Sequence, residues 1–230
     1  MTYVMSDLHG MYGLYKDMLA HVKFTDEDSL YILGDICDRG DDAARIYMDV
    51  MERKNVFCIK GNHEMMLQAA LPSAMGWSEE DGEIQYIWDT NGGDTTKLSL
   101  HRFCTEQEIR RIHSFVSDLP YYREIEINGK KFTLAHAGGY DENGAKHISE
   151  LDPHEIVWDS PDFGGVYGDR ESEMLIVGHT PTLLISRSPM ARIYHGEGNI
   201  IDVDCGAVFS ASGGRLGCLC LETMGEFYVF

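Results

Sequence analysis

The chain has 230 residues, 43% hydrophobic and 25% charged, an ordinary globular composition long enough to bury a substantial core. Nineteen basic residues against 38 acidic ones leave a formal charge of −19 at pH 7. That balance argues against binding to nucleic-acid backbones or anionic lipid, which need clustered Lys and Arg.

No apolar run approaches the roughly 20 residues that span a bilayer. The amino terminus, Met1-Thr2-Tyr3-Val4-Met5, has no basic stretch leading into an apolar one, so a cytoplasmic protein is expected. No repeat, low-complexity stretch or Pro/Gly/Ser-rich linker divides the sequence, and residues 1–230 are expected to form one domain.

Tyr3–Met5 predicts a strand and Met11–Val22 a helix with Leu14, Met18, Leu19 and Val22 on one face. Leu30–Leu33 predicts a second strand, Ala43–Arg53 a second helix and Val56–Ile59 a third strand. That alternation implies parallel pairing through right-handed crossovers. From Met65 to Leu100 the pattern is helical and then loose, with the acidic run Glu79-Glu80-Asp81 and the aromatics Trp77, Tyr86 and Trp88. Those aromatics read as packing of a surface insertion, a lid over a site being the sharper alternative. Thr105–Ser117 predicts a helix, with Thr105 as N-cap and Glu108 completing a capping box.

Tyr122–Ile127 and Lys130–Ala135 flank Asn128-Gly129, a strong hairpin signal. The last third reads β-rich, with runs at Leu175–Val177, Ile200–Val203, Leu216–Leu221 and Phe227–Phe230. Sheets parallel at the front and antiparallel at the back fit one α/β domain. Cys37, Cys58, Cys104, Cys205, Cys218 and Cys220 lack a paired metal spacing and read as reduced thiols, with Cys218 and Cys220 on one face of a strand.

Four polar clusters each follow an apolar run. They are Asp7-Leu8-His9-Gly10, Gly34-Asp35-Ile36-Cys37-Asp38-Arg39-Gly40, Gly61-Asn62-His63-Glu64 and Gly178-His179-Thr180, with His136 after the hairpin. Open α/β sheets gather ligands past the carboxyl ends of their strands. Asp7 and His9, two apart, would share one side of an extended backbone. Carboxylates with imidazoles suit Mn, Fe or Zn better than Mg or Ca. Asp35 could bridge two ions, Asn62 offers an amide oxygen, and His136 and His179 offer imidazoles. Two divalent ions about 3.5–4 Å apart activate a shared water, which points to direct hydrolysis of a phosphate ester with no covalent intermediate. His63 is placed to protonate the departing alkoxide, with Asp38 to hold its ring and Arg39 to clamp phosphate oxygens. Each motif alone arises by chance, and a lone histidine or an Asp-Arg pair is more often structural. Their joint occurrence, each after a strand, carries the reading.

With these residues in view, the chain resembles the calcineurin-like metallophosphoesterases. Among them it is most similar to the PPP-type serine/threonine protein phosphatases in their compact bacterial and bacteriophage form. The likeness runs from Tyr3 to Phe209 and includes Asn91-Gly92-Gly93, Leu119-Pro120, Val157-Trp158 and Asp204-Cys205-Gly206-Ala207-Val208-Phe209. It implies a fold of two mixed β-sheets packed as a sandwich with flanking helices. It also implies a first metal on Asp7, His9 and bridging Asp35, and a second on Asp35, Asn62, His136 and His179, manganese being the expected ion. His63 would be the general acid, Asp38 its partner and Arg39 a phosphate clamp. Two departures stand out. Bacterial and phage members usually carry an arginine two residues after the tryptophan matching Trp158; here it is Ser160, and Arg170 is the expected replacement clamp. After His136 the sequence Ala137-Gly138-Gly139 is nearer the eukaryotic pattern.

A phosphoserine/phosphothreonine phosphatase is therefore expected, acting on phosphorylated proteins or small phosphoesters. A hydrolase of dinucleoside polyphosphates is the enzyme alternative, disfavoured because that branch typically has alanine where Asp38 stands. A metal-stabilised binding module is the non-enzyme alternative, disfavoured because holding metal requires neither His63 nor Asp38. The negative surface predicts faster turnover of phosphopeptides with basic residues beside the phosphate than of acidic ones, with the gap closing as salt rises. Equal rates at low ionic strength would contradict this.

Overall fold

The computed structural model describes residues 1–79, 81–139, 147–186 and 188–230, so Glu80 of the acidic run lies outside the described residues. Its first sheet contains β1 (Thr2–Met5), β2 (Ser29–Ile32), β3 (Val56–Cys58), β9 (Leu216–Cys220) and β10 (Gly225–Val229), in the order β10-β9-β1-β2-β3. β1, β2 and β3 pair in parallel, as the alternation with helices requires, while β9 and β10 add on antiparallel. The second sheet contains β4 (Tyr122–Ile127), β5 (Lys130–Ala135), β6 (Glu173–Val177), β7 (Tyr194–His195) and β8 (Ile200–Asp202), in the order β4-β5-β6-β8-β7. The β4–β5 turn is the anticipated one: Asn128 and Gly129 have φ of 52° and 76°.

Strand alternation lets each sheet serve two cores. Val4, Leu33, Ile59 and Leu219 from the first sheet and its loops meet Phe132, Leu134, Ile176 and Ile201 from the second, so the sheets pack face to face. Tyr3, Met5, Ile32, Cys218 and Cys220 point the other way. There they meet Leu14 of α1 (Tyr12–His21), Ile46 of α2 (Ala43–Glu52) and Leu67 of α3 (Asn62–Ala74). On the outside of the second sheet, Ala135, Leu175 and Val177 pack on Ile156 and Val157 of α7 (Pro153–Trp158). The layers run helix, sheet, sheet, helix, the sandwich expected.

The segment read as loose is helical. α4 (Gly82–Thr90), α5 (Gly93–Phe103) and α6 (Glu106–Asp118) follow α3 in succession. α5 hides its periodicity because its buried face includes Thr96 and Ser99 beside Leu100, and Ser99 Oγ accepts the Ala44 N–H at 3.1 Å. α3 tolerates Pro72, which cannot donate to the Gln68 carbonyl, because the His113 ring nitrogen lies 3.0 Å from that oxygen. α6 starts at the anticipated capping box, Thr105 and Glu108 each accepting the other's N–H. α7, α8 (Thr182–Ser186) and β7 are too short for periodicity to register.

β1, β2, β3, β5 and β6 all end on one side, and the polar clusters leave from those ends. Glu64, fully buried, ties the clusters together. Its carboxylate accepts N–H bonds from Asp35 (2.7 Å), Ile36 (2.9 Å) and Gly61 (2.9 Å) and the Tyr47 hydroxyl (2.9 Å). Glu64→Ala would strand these donors in the interior, and the expected cost is about 3–6 kcal/mol in denaturant unfolding. A loss below about 1 kcal/mol would contradict that assignment of Glu64.

Candidate active site

Nine described non-glycine residues have positive φ, and six of them belong to the predicted site: Asp7 (54°), His9 (40°), Asp35 (54°), Asp38 (70°), Arg39 (69°) and His179 (72°). Side-chain-bearing residues resist this left-handed conformation, and its concentration at one place marks a preorganised site. It also corrects the expectation that Asp7 and His9 project from an extended strand. β1 ends at Met5, and tight turns bring the two together. The turns are held by Asp7 N–H on the Gly34 carbonyl (3.2 Å) and His9 N–H on the Asp35 carbonyl (2.9 Å).

Two groups of donor atoms converge. In the first, His9 Nε2 lies 3.7 Å from Asp35 Oδ2 and 3.9 Å from Asp7 Oδ1, and His63 Nε2 is also 3.7 Å from Asp35 Oδ2. In the second, His136 Nε2 lies 2.9 Å from Asn62 Oδ1, 3.2 Å from His179 Nδ1 and 3.4 Å from Asp35 Oδ1. Asp35 thus turns one oxygen to each group. The ring nitrogens on the far sides are fixed, His9 Nδ1 on the Cys37 carbonyl at 2.8 Å and His136 Nδ1 on the Leu33 carbonyl at 2.7 Å. That fixing aims Nε2 inward, as metal-binding histidines require.

His63 Nδ1 meets Asp38 Oδ2 at 2.6 Å, both groups buried. Arg39 is exposed and spans the two imidazoles of the first group, with guanidinium nitrogens 2.6 Å from His9 Nε2 and 3.0 Å from His63 Nε2.

Burial raises Asp35 well above the carboxylate range, and the nearby Asp7 and Glu64 carboxylates add to it. Burial would raise Asp7 too, but the His136 and His9 imidazoles and bonds from Ser6 and the His179 N–H outweigh it and hold the carboxyl low. Burial pushes His9 well below the histidine range, His63 down to about 3 with help from Arg39, and His179 down to about 4 with help from His136. Asp38 is pushed up to about 7 by burial, against bonds from Thr96 and Trp88. Burial thus favours neutral imidazoles at His9, His63 and His179 beside crowded carboxylates, and this mixed nitrogen–oxygen donor set fits divalent transition ions.

Arg170 does not join this assembly. It precedes β6 whereas His179 comes after it, which puts Arg170 at the strand's other end, exposed and donating to the Glu197 carbonyl at 2.8 Å. Ser160 does lie beside the site, its hydroxyl 2.5 Å from that of Thr180, next to His179. The sequence reading missed Glu64, Trp88 and Thr96. Trp88 is fully buried and packs the helical insertion, as one reading had it, and its indole N–H also donates to Asp38. Glu64 stood inside a recognised cluster without a role, and Thr96 gave no signal. A groove of about 590 Å³ runs from Arg39 and His179 to Pro181, Leu183, Leu184 and Phe209.

The sequence pattern of the calcineurin-like phosphoesterase family matches residues 2–207. Serine/threonine-protein phosphatase 2 of Salmonella typhimurium is 26% identical over 183 residues, 77% of this chain and 78% of that protein. A symmetrical bis(5'-nucleosyl)-tetraphosphatase of Wigglesworthia glossinidia brevipalpis is 32% identical over 81 residues, 34% of this chain and 30% of that protein. Among solved structures, a candidate diadenosine tetraphosphatase superposes with a TM-score of 0.67 at 16% identity, covering 99% of this chain and 92% of the other. A protein serine/threonine phosphatase from Saccharomyces cerevisiae gives 0.60 at 15% identity, covering 94% and 71%. At such identities these two structures speak for the fold.

From the place of its guanidinium, Arg170→Ala is expected to leave kcat and KM on an aryl phosphate within about twofold of the parent, whereas Arg39→Ala should raise KM or lower kcat by about tenfold or more. A comparable loss in both variants would contradict the placement.

Proposed function

The chain belongs to the calcineurin-like phosphoesterase family, and from that premise we propose that it hydrolyses phosphoserine and phosphothreonine esters in proteins, with two divalent ions, manganese first among them. The buried His63–Asp38 pair, 2.6 Å apart, carries this reading. A serine or threonine alkoxide is strongly basic and leaves only when it is protonated. A nucleotide phosphate is already a weak base near neutral pH and leaves without that help. A buried carboxylate braced behind a histidine is the equipment for the first reaction.

Asp7, His9 and Asp35 would hold one ion, and Asp35, Asn62, His136 and His179 the other. When bound, the ions supply positive charge to the phosphate oxygens and render a water acidic enough to attack phosphorus. The rest of the work belongs to the chain. Arg39 donates to His9 Nε2 and His63 Nε2 in this structure. Turning both N–H groups onto phosphate oxygens clamps the substrate and frees both ring nitrogens. The phosphate charge then offsets the guanidinium that, after burial, opposes a proton on His63. With Asp38 holding Nδ1, the freed His63 Nε2 takes a proton from solvent and gives it to the leaving oxygen, which departs as the alcohol while the ring returns to its neutral form.

Hydrolysis of dinucleoside polyphosphates is the second reading, favoured by the likeness to symmetrical bis(5'-nucleosyl)-tetraphosphatase over part of the chain. Side-by-side assay of a phosphoserine peptide and diadenosine tetraphosphate with added Mn²⁺ separates the two. Higher kcat/KM on the peptide is expected; clear preference for the nucleotide would overturn the proposal. Chelation should abolish activity and added Mn²⁺ restore it. His63→Ala should lower kcat on the peptide by about 10²–10⁴ with metal content intact, and an unchanged kcat would remove His63 as the acid.

A further inference from the structure

The helical segment that follows α3 grips the acid pair from behind. Trp88 on α4 brings its Nε1 to 3.0 Å from Asp38 Oδ1 and 3.1 Å from Oδ2, and Thr96 on α5 brings its hydroxyl to 2.7 Å from Oδ1. Both side chains are fully buried. An indole N–H donates and cannot accept. The Thr96 hydroxyl accepts the Asp38 N–H at 2.7 Å, which commits its own hydrogen to Oδ1. Two donors therefore converge on the carboxylate, while Oδ2 also faces His63 Nδ1. This arrangement favours an anionic Asp38, which places a hydrogen on His63 Nδ1 and turns Nε2 toward the donor groups of the site.

The indole has little freedom to move away. A Cβ on Gly93 would come within 2.5 Å of the Trp88 ring, so glycine is what permits the contact. Gly92, at φ 101°, accepts the Arg39 N–H at 3.2 Å, so the same turn anchors the phosphate-facing arginine.

We infer that Trp88 and Thr96 are positioning residues for the general acid, holding Asp38 so that His63 can deliver a proton to strongly basic leaving groups. The inference rests on the assignment of His63 under the proposed function, and the test keeps the two apart. A phosphoserine peptide releases an alkoxide that needs the proton, whereas p-nitrophenyl phosphate releases a stable phenolate that needs little help. Disorder in the acid pair should therefore penalise the first ester more than the second.

Trp88→Phe removes the N–H and keeps an aromatic ring; Thr96→Val removes the hydroxyl with little change of shape; Thr96→Ser retains it. In Trp88→Phe and Thr96→Val, loss of kcat on the peptide should exceed loss on p-nitrophenyl phosphate by about tenfold, as expected for one hydrogen bond to a charged group. The effect should fall on kcat rather than KM, with metal content as in the parent, and Thr96→Ser should recover most of it. His63→Ala should show the same leaving-group selectivity, more strongly. Equal losses on both esters, or none, in Trp88→Phe and Thr96→Val beside a selective His63→Ala would overturn the inference and leave the acid assignment standing. A His63→Ala loss equal on both esters would overturn the acid assignment and the inference with it. Should Trp88→Phe fail to fold, the Thr96→Val and Thr96→Ser pair decides.

Discussion

The site depends on one buried carboxylate that touches no substrate. Glu64 takes N–H bonds from Asp35, Ile36 and Gly61, fastening the loop after β2 to the loop that starts α3. Asp35 can then hold a left-handed backbone with one oxygen toward His9 and the other toward His136. The His63 N–H, on the first turn of α3, closes the arrangement on Asp35 Oδ1 at 3.1 Å. Those N–H groups and the Tyr47 hydroxyl satisfy the buried Glu64 carboxyl oxygens, which would otherwise lie in the interior without partners.

The second constraint is the stacking of the two sheets. Neither carries a complete site: the first supplies Asp7, His9, Asp35, Asn62 and His63 from the ends of β1, β2 and β3, and the second supplies His136 and His179 from the ends of β5 and β6. The apolar layer between them sets the offset that brings His136 Nε2 to Asn62. Direct links fine-tune it, with His136 Nδ1 on the Leu33 carbonyl and the His179 N–H on Asp7 Oδ2 at 2.9 Å. Gly178 sits so close to Ser6 and Asp7 that a Cβ there would meet the Ser6 hydroxyl at 2.1 Å. The two halves of the site are therefore positioned by packing that is itself remote from the chemistry.

Much of this was legible in the sequence. Apolar patterns located every strand but the two-residue β7 and the helices α1, α2 and α6, and Asn128-Gly129 located the hairpin, because those signals reflect which face of an element is buried. The donor clusters were legible because each stood just past an apolar run. The hidden features have physical reasons. Left-handed φ at Asp7 and His9 comes from turns that only the neighbouring Asp35 loop can hold, so local spacing suggested an extended strand instead. α5 was obscured because small polar residues, Thr96 and Ser99, take core positions. The bond from Trp88 to Asp38 was hidden because its partner is 50 residues away in the chain. Arg170 stood in the loop that follows Ser160 and so offered a replacement clamp, yet it and His179 flank β6 at opposite ends, a strand's length apart.

The acidic composition divides between two environments. Asp7, Asp35, Asp38, Glu64, Asp202 and Asp204 are buried, and the first four build the site, while most of the remaining acids form a negative exterior. Buried carboxylates gathered beside the neutral imidazoles of His9, His63 and His179 call for divalent cations. Anomalous diffraction from crystals grown with Mn²⁺ decides whether they bind there. Two manganese peaks are predicted, one among Asp7, His9 and Asp35 and the other among Asp35, Asn62, His136 and His179. Manganese absent from both positions at saturating concentration, or bound only elsewhere, would contradict it.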